Sequence, residues 1–491
     1  MNLSRIVAHW ADQTPDRTAI HYQGTDLGYA ELWRRIERAT AALSALGIAR
    51  GERVAILAYN CPEILVLLLA AARLGALMVP LNWRLTVAEH RLILADCTPK
   101  LLLAEDDWRP HAEQLGLPVR PLSALEGTAH RAGDARLGGS DADDALIVYT
   151  SGTTGRPKGA VLTQGGLIWN AYNAIAAHDM GQQDHALNAL PMFHVGGLNI
   201  QGLPVLVAGA RMTLHRRFAP EHWLADVAAR RPTLSVLVPA MMAAIIAHPE
   251  WPRSDLSSLR MIHAGSMIVP DSLIQAFHAR GIPVGQIYGS TETAPFATVL
   301  LREDARTKLG SAGKPALHCE IRLVADPQRT GDVAEGVGEV WVRGPNVMRG
   351  YWNAPEATQA ALVDGWYRTG DLARRDADGF FWIVGRSKDV IISGGENVYP
   401  AELENVLADC AQIAEAAVVG VTDPKWGETA CACIVRTPGA TLDEAGVLAL
   451  FKDRLAPYKH PRRVLFMDTL PKTAMGKVQK FELRKAVETG A

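Results

Sequence analysis

At 491 residues, nearly half of them apolar, the chain is long enough for two or three domains with sizeable cores and carries no disordered tail. A formal net charge of −2 makes no electrostatic case for a nucleic-acid partner, which requires a basic surplus. The six cysteines stand singly apart from Cys431-Ala432-Cys433, and without a CxxC they argue against zinc and dithiol chemistry and for reduced thiols in the cytoplasm.

In chain order, the first twenty residues lack the apolar core of a signal peptide. Arg53 to Ala58 reads as a strand, Glu63 to Leu74 as a helix and Lys100 to Ala104 as another strand. The most hydrophobic run, Ile64 to Ala72, is too short to cross a bilayer and reads as a buried helix, so no transmembrane segment is expected. Ala145 to Val148 is a short buried strand, and a helix runs on to His178 from Thr163 as its N-cap. Strand and helix alternate again at Leu187 to Leu190, and at Thr233 to Val238 with Met241 to His248. This succession predicts an α/β fold with mostly parallel sheets. Glu320 to Val324 and Gly338 to Val342 suggest a smaller β-rich part. Beyond the polar stretch Gly385 to Asp389, Glu402 to Leu407 looks helical, Glu415 to Val421 and Ala430 to Val435 look like strands, and Leu442 to Leu455 looks helical. That tail of about 100 residues can form a small α+β domain of its own.

The stretch YTSGTTGRPKGAV, Tyr149 to Val161, packs hydroxyls, glycines and Lys158 between two apolar segments. A glycine-rich turn between a strand and a helix can present backbone N–H groups to phosphate oxygens. The stretch departs from GxxxxGK[ST], because Pro157 precedes the lysine and Gly159 follows it. Small residues, hydroxyl donors and an ammonium together favour a polyphosphate over a plain surface loop. In Gln286-Ile-Tyr-Gly-Ser-Thr-Glu-Thr293, Glu292 can hold Mg²⁺, which favours few carboxylates plus substrate phosphates, or it is a solvated turn residue. Asp371, ending Trp366-Tyr-Arg-Thr-Gly-Asp371, suits a pair of ribose hydroxyls or caps its own turn. Lys477 ends the glycine-bearing loop Leu470 to Lys477 and, taken alone, is a surface lysine.

Each segment is weak singly; their order over more than 300 residues is not. The chain resembles the adenylate-forming enzymes, the group of acyl-CoA synthetases, 4-coumarate–CoA ligases, luciferases and peptide-synthetase adenylation domains. The resemblance covers essentially the whole chain and rests on YTSGTTGRPKG (149–159), PMFHVGG (191–197), YGSTE (288–292), YRTGD (367–371), GRSKDVIISGGENVYPAELE (385–404) and PKTAMGK (471–477). It implies an N-terminal adenylate-forming domain at 1–386, a hinge at 387–389 and a mobile C-terminal lid at 390–491.

The resemblance also implies a two-step reaction in which a carboxylate attacks the α-phosphate of ATP, releasing pyrophosphate, and the thiol of CoA then displaces AMP. Thr150, Ser151, Gly152, Thr153, Thr154, Gly155 and Lys158 would cradle the β- and γ-phosphates. Tyr288 would lie against adenine in a slot shaped by Gln286 and Gly289, with Thr291 on phosphate and Glu292 on Mg²⁺. Asp371, assisted by Arg386, would bind the ribose. Lys477 would bridge the attacking carboxylate and the α-phosphate. Lys388 would be the hinge residue, and Gly394 and Gly395 would line the pantetheine passage, where a side chain would obstruct the thiol.

His194, in PMFHVGG, would sit at the mouth of the acyl pocket or pack in the core, and Gly196 and Gly197 suggest an open passage. Gly265, in His263-Ala-Gly-Ser-Met267, would border the same pocket. That run replaces the family's commoner glycine-glycine-alanine-proline, and Ile287 stands where glycine is usual, so pocket shape does not transfer from relatives. With no cation in these motifs to pair a second carboxylate, an apolar acid is expected, either a medium- or long-chain fatty acid or an aryl acid such as a hydroxycinnamate. Delivery to a carrier protein instead of CoA is the alternative within enzymes, and a degenerate nucleotide sensor the alternative outside them. Oligomeric state is open, a homodimer included.

Overall fold

A computed structural model describes residues 2–127, 138–150, 157–266, 269–325, 331–332, 336–393, 396–472 and 476–489. Two compact units divide the chain: Met1–Met267 with Ala276–Ile321 and Val342–Arg368, and Ile268–Gln275 with Arg322–Trp341 and Thr369–Ala491.

The first unit is built on two sheets. Among the described residues one has nine strands, of which Thr18–Tyr22, Arg211–Leu214, His185–Asn188, Leu234–Leu237, Met261–Gly265 and Val284–Tyr288 run parallel. The other has seven, with a parallel set formed by Arg53–Leu57, Leu77–Pro80, Leu101–Ala104, Val119–Pro121 and Asp144–Thr150. The expected α/β architecture with mostly parallel sheets is therefore present. The helix Pro62–Leu74 is apolar all round and almost wholly buried, with Pro62 at its first turn and Gly75 at φ +72° closing it. Leu65, Leu67, Leu68 and Leu69 have no exposure, which contributes about 1.5–3 kcal/mol each relative to solvent. Among the described residues no helix is long and apolar enough to cross a membrane.

The glycine-rich stretch corrects one expectation. It joins Asp144–Thr150 not to a helix but to a second, antiparallel strand, Lys158–Thr163, whose first residue pairs with Thr150. The physical reason is close packing. Gly159 lies where a Cβ would come within 2.6 Å of Ile147 Cγ2 and 3.0 Å of the Tyr149 ring, so glycine lets the returning chain pack closely on its partner strand. The helix follows at Gln164–His178, with Thr163 Oγ1 accepting from the Gly166 N–H at 3.0 Å as the expected cap.

In the second unit, the later part of strand Trp366–Arg375 pairs antiparallel with Phe381–Arg386. The C-terminal sheet contains Ile391–Ser393, Glu396–Val398, Ile413–Asp423, Gly427–Arg436 and Arg463–Phe466. Its long central pair is apolar on both faces. Val418, Ala430, Ala432 and Ile434 belong to one core with Leu403 and Leu407 of helix Pro400–Ala408. Val419, Cys431 and Cys433 belong to another with Leu483 and Val487 of helix Lys480–Thr489. The two thiols share a face, as their spacing requires. The helix expected over Leu442 to Leu455 is confined to Glu444–Ala449, and turns with Asp453 at φ +61° replace its second half.

Candidate active site

The first unit brings together five of the expected residues by backbone geometry. Strand Val284–Tyr288 carries Gln286 and Tyr288 to its C-terminal end, and a tight turn, Thr291–Thr293, follows. Ser290 N–H donates to Thr293 Oγ1 at 3.0 Å and locks that turn. Gly289 is required there, since a Cβ would meet the Pro295 carbonyl oxygen at 1.7 Å. Thr291 and Glu292 are both buried, and the Gln286 amide nitrogen is buried with no partner.

Glu292 is tied to a residue that sequence reasoning missed. The Tyr351 hydroxyl donates to Glu292 Oε1 at 2.7 Å, and the Lys158 ammonium lies 5.4 Å from the centroid of the Tyr351 ring. The hairpin therefore delivers Lys158, beside Thr150, toward the same aromatic that orients the carboxylate. With one oxygen oriented by tyrosine and the other without a partner among the described residues, Glu292 fits a Mg²⁺ that takes most of its ligands from phosphate and water. Tyr351 stands 59 positions from Glu292, beyond the reach of any local pattern.

His194 precedes a short helical turn and accepts the Gly196 N–H on Nδ1 at 3.1 Å, so its proton sits on Nε2. Burial pushes its pKa down to about 4, with the Glu292 charge opposing, and the ring is a neutral donor near pH 7. Gly197 is a packing glycine: a Cβ would meet the Pro191 and Leu190 carbonyl oxygens at 2.4 and 2.5 Å. Gly265 likewise faces the Ile287 carbonyl oxygen at 2.5 Å from a Cβ. The π-helical turn Leu198–Gly202 that follows carries Asn199 and Gln201, whose amide groups are buried without partners. His178 and His263 are also buried with unpartnered nitrogens. The sequence marked His263 only as part of a departure from the family's pattern and gave no role to the other three, although π-turns such as the one that carries Asn199 and Gln201 often stand at functional sites.

The second unit holds the other charged residues. Asp371 and Arg386 are cross-strand partners joined at 2.9 Å, with the Asp371 N–H held by Thr369 Oγ1 at 3.0 Å. Lys388 is exposed in the turn Ser387–Asp389. Lys477 follows Gly476, which adopts φ +80°. Lys477 is exposed as a residue, yet its ammonium is partly desolvated; that and the Arg386 charge lower its pKa, while Asp371 and Asp389 pull it upward. The loop residues Ser151, Gly152, Thr153, Thr154 and Gly155, and the pair Gly394 and Gly395, lie outside the described residues.

Two family models match the chain: AMP-binding enzyme over residues 7–352 and AMP-binding enzyme C-terminal domain over 402–477. An indoleacetate–CoA ligase from Aromatoleum aromaticum is 48% identical, the match covering 99% of this chain and 98% of the relative. A feruloyl-CoA synthase from Amycolatopsis is 43% identical over 97% of each. Among solved structures, the o-succinylbenzoate coenzyme A synthetase of Bacillus subtilis with ATP and magnesium ion superposes with a TM-score of 0.88 at 33% identity, covering 97% of this chain and 98% of that one.

Proposed function

The chain belongs to the AMP-binding enzymes, and from that premise we propose that it activates an aromatic carboxylic acid and passes the acyl group to CoA. It is an AMP-forming acid–thiol ligase, working through an acyl-AMP with ATP, Mg²⁺ and CoA. One observation carries the finer reading: two curated relatives that span essentially its whole length, at 48% and 43% identity, are named for ring-bearing acids, indoleacetate and ferulate. A medium- or long-chain fatty acid has weaker support, from a Mycobacterium tuberculosis fatty acyl CoA synthetase at 32% identity and a TM-score of 0.79.

A carboxylate is a poor electrophile until one oxygen belongs to a good leaving group, and adenylation supplies AMP as that group. Thr150, Lys158 and the glycine-rich loop between them offset charge on the departing pyrophosphate. Tyr288, Gln286 and Gly289 shape the adenine slot, Thr291 contacts phosphate, and Asp371 with Arg386 reads the ribose. When bound, Mg²⁺ neutralises phosphate charge; Glu292, oriented by Tyr351, is the residue that would hold it. Lys477 supports adenylation by meeting the negative charge that builds between acid and α-phosphate. His194 offers a neutral N–H beside the acid, Gly265 borders it, Lys388 is the hinge, and Gly394 with Gly395 keep the thiol's path clear. Six cysteines without a disulfide among them fit a reducing, cytoplasmic setting.

The test is a panel of acids scored by pyrophosphate release with CoA present. Indole-3-acetate, ferulate and phenylacetate should outrun octanoate and palmitate by at least about tenfold in kcat/KM. Preference for the alkyl acids would overturn the aromatic reading and leave the ligase chemistry standing.

A further inference from the structure

Strand Met261–Gly265 of the first unit and the last residue of helix Gln164–His178 carry two polar side chains that adenylation does not use. His263, in strand Met261–Gly265, is fully buried, and neither ring nitrogen makes a hydrogen bond; the Leu300 carbonyl lies close enough only to temper its loss of basicity. Its ring meets that of His178 edge-on, with centroids 4.4 Å apart and planes at 67°. His178 Nδ1 donates to the Ala174 carbonyl at 2.7 Å. That bond leaves the lone pair on Nε2, which is buried and unpartnered. Both rings are kept neutral by burial. A neutral imidazole with an idle lone pair lacks a donor, so the missing partner is an N–H or an O–H.

The position of these rings says whose donor it is. Strand alternation places His263 on the same face as Gly265, the residue assigned to the acid pocket, and the parallel register sets Gly265 beside Ile287. Two residue steps along the strand take Gly265 to His263, or ~6.6 Å. An aromatic ring with a polar substituent spans about that distance. The neighbouring Gly285 leaves the space to the imidazole, because a Cβ there would meet His263 Cδ2 at 2.7 Å. Phe296, its ring centroid 6.3 Å from that of His178, supplies an apolar wall.

Resting on the aromatic-acid reading above, we propose that His263 and His178 form a polar floor of the acid pocket and select aromatic acids that carry a ring N–H or O–H. A hydrocarbon at the same place would leave the imidazole lone pairs buried and unmatched, and sites built to hydrogen-bond a substrate reject analogues that lack the group.

The experiment measures kcat/KM for pyrophosphate release with matched acids: indole-3-acetate against 1-benzothiophene-3-acetate, and 4-hydroxyphenylacetate against phenylacetate. The wild-type enzyme should favour the donor-bearing member of at least one pair by roughly 10²-fold. In His263→Met that ratio should fall below about threefold, while the thermal midpoint holds or rises because two unmatched nitrogens have left the core. A ratio near one in both wild-type pairs, or a preserved ratio in folded His263→Met, overturns the proposal. Should that variant not fold, His178→Phe keeps the ring packing and removes the lone pair; its ratio should fall in the same way, and a preserved ratio there overturns the proposal equally. Turnover of alkyl acids alone would instead fell the aromatic-acid reading, so the two failures are distinguishable.

Discussion

Replacing Tyr351 by phenylalanine removes one hydroxyl and leaves the ring under Lys158 in place. The lost contact is the 2.7 Å hydrogen bond to Glu292 Oε1, made to a carboxylate with only 8% of its surface exposed. A hydrogen bond to a charged group contributes about 1.5–3 kcal/mol, and removing an outer partner of a metal-holding carboxylate costs about 10–100-fold in metal affinity. Because substrate phosphates supply further Mg²⁺ ligands, the lower end applies. Tyr351→Phe should raise the half-saturating Mg²⁺ concentration about tenfold, or ~1.4 kcal/mol. Acid-dependent pyrophosphate exchange, titrated with Mg²⁺ at fixed ATP, reads this directly. Excess Mg²⁺ should restore the rate to within about threefold of wild type. A variant equally impaired at every Mg²⁺ concentration, or one with an unshifted titration, would refute the assignment of Glu292 as the carboxylate that holds the metal.

Lys477→Ala should cut acyl-AMP formation by roughly 10²–10³ and spare thiolysis of supplied acyl-AMP, measured as separate half-reactions. Equal loss in both would contradict its role. Gly395→Leu should keep pyrophosphate exchange and fail at thioester formation; a general loss of stability would mean that the glycine serves only a turn. Stability should fall on acidification, because burial lowers the pKa of His178 to about 4 and that of His263 well below the ordinary 6.5. The unfolded chain binds these protons first, so the stability is fully present above about pH 6.5 and is lost as pH falls toward the folded values. At pH 5 the His178 ring costs about 2 kcal/mol, and the thermal midpoint between pH 7.5 and 5 should drop less in His178→Phe than in wild type.

Much of this was legible because it is local. Thr163 announces its helix by side-chain chemistry, and the run from Ile64 to Ala72 is buried because nothing in it can face water. Glu320–Val324 is a strand with the bounds that its β-type segment suggests. Long-range pairings were not legible. Lys158 opens a strand rather than preceding a helix, because its segment is defined by Asp144–Thr150, its antiparallel partner. Tyr351 meets Glu292, and His178 meets His263, through tertiary packing that no spacing in the chain encodes. The departure at His263-Ala-Gly-Ser-Met267 was visible as a change of residue type, but its meaning depended on which face of the sheet the imidazole occupies.

Arg386 and Asp371 illustrate the intermediate case. Each stood in a separate motif, and a ribose role linked them by resemblance alone. The sheet adds a physical link, since they are opposite one another across two antiparallel strands and joined at 2.9 Å. The guanidinium thereby fixes the carboxylate that two vicinal hydroxyls would meet, and its charge reaches Lys477 as well.

The most direct measurement follows the fate of nucleotide and acid in a single incubation of enzyme, ATP, Mg²⁺ and indole-3-acetate, first without CoA and then with it. An acyl-AMP with one equivalent of pyrophosphate is expected in the first stage, then AMP and the acyl thioester when CoA is added. Release of ADP and phosphate, or a thioester formed with no adenylate detectable on the way, would contradict activation through an acyl-AMP.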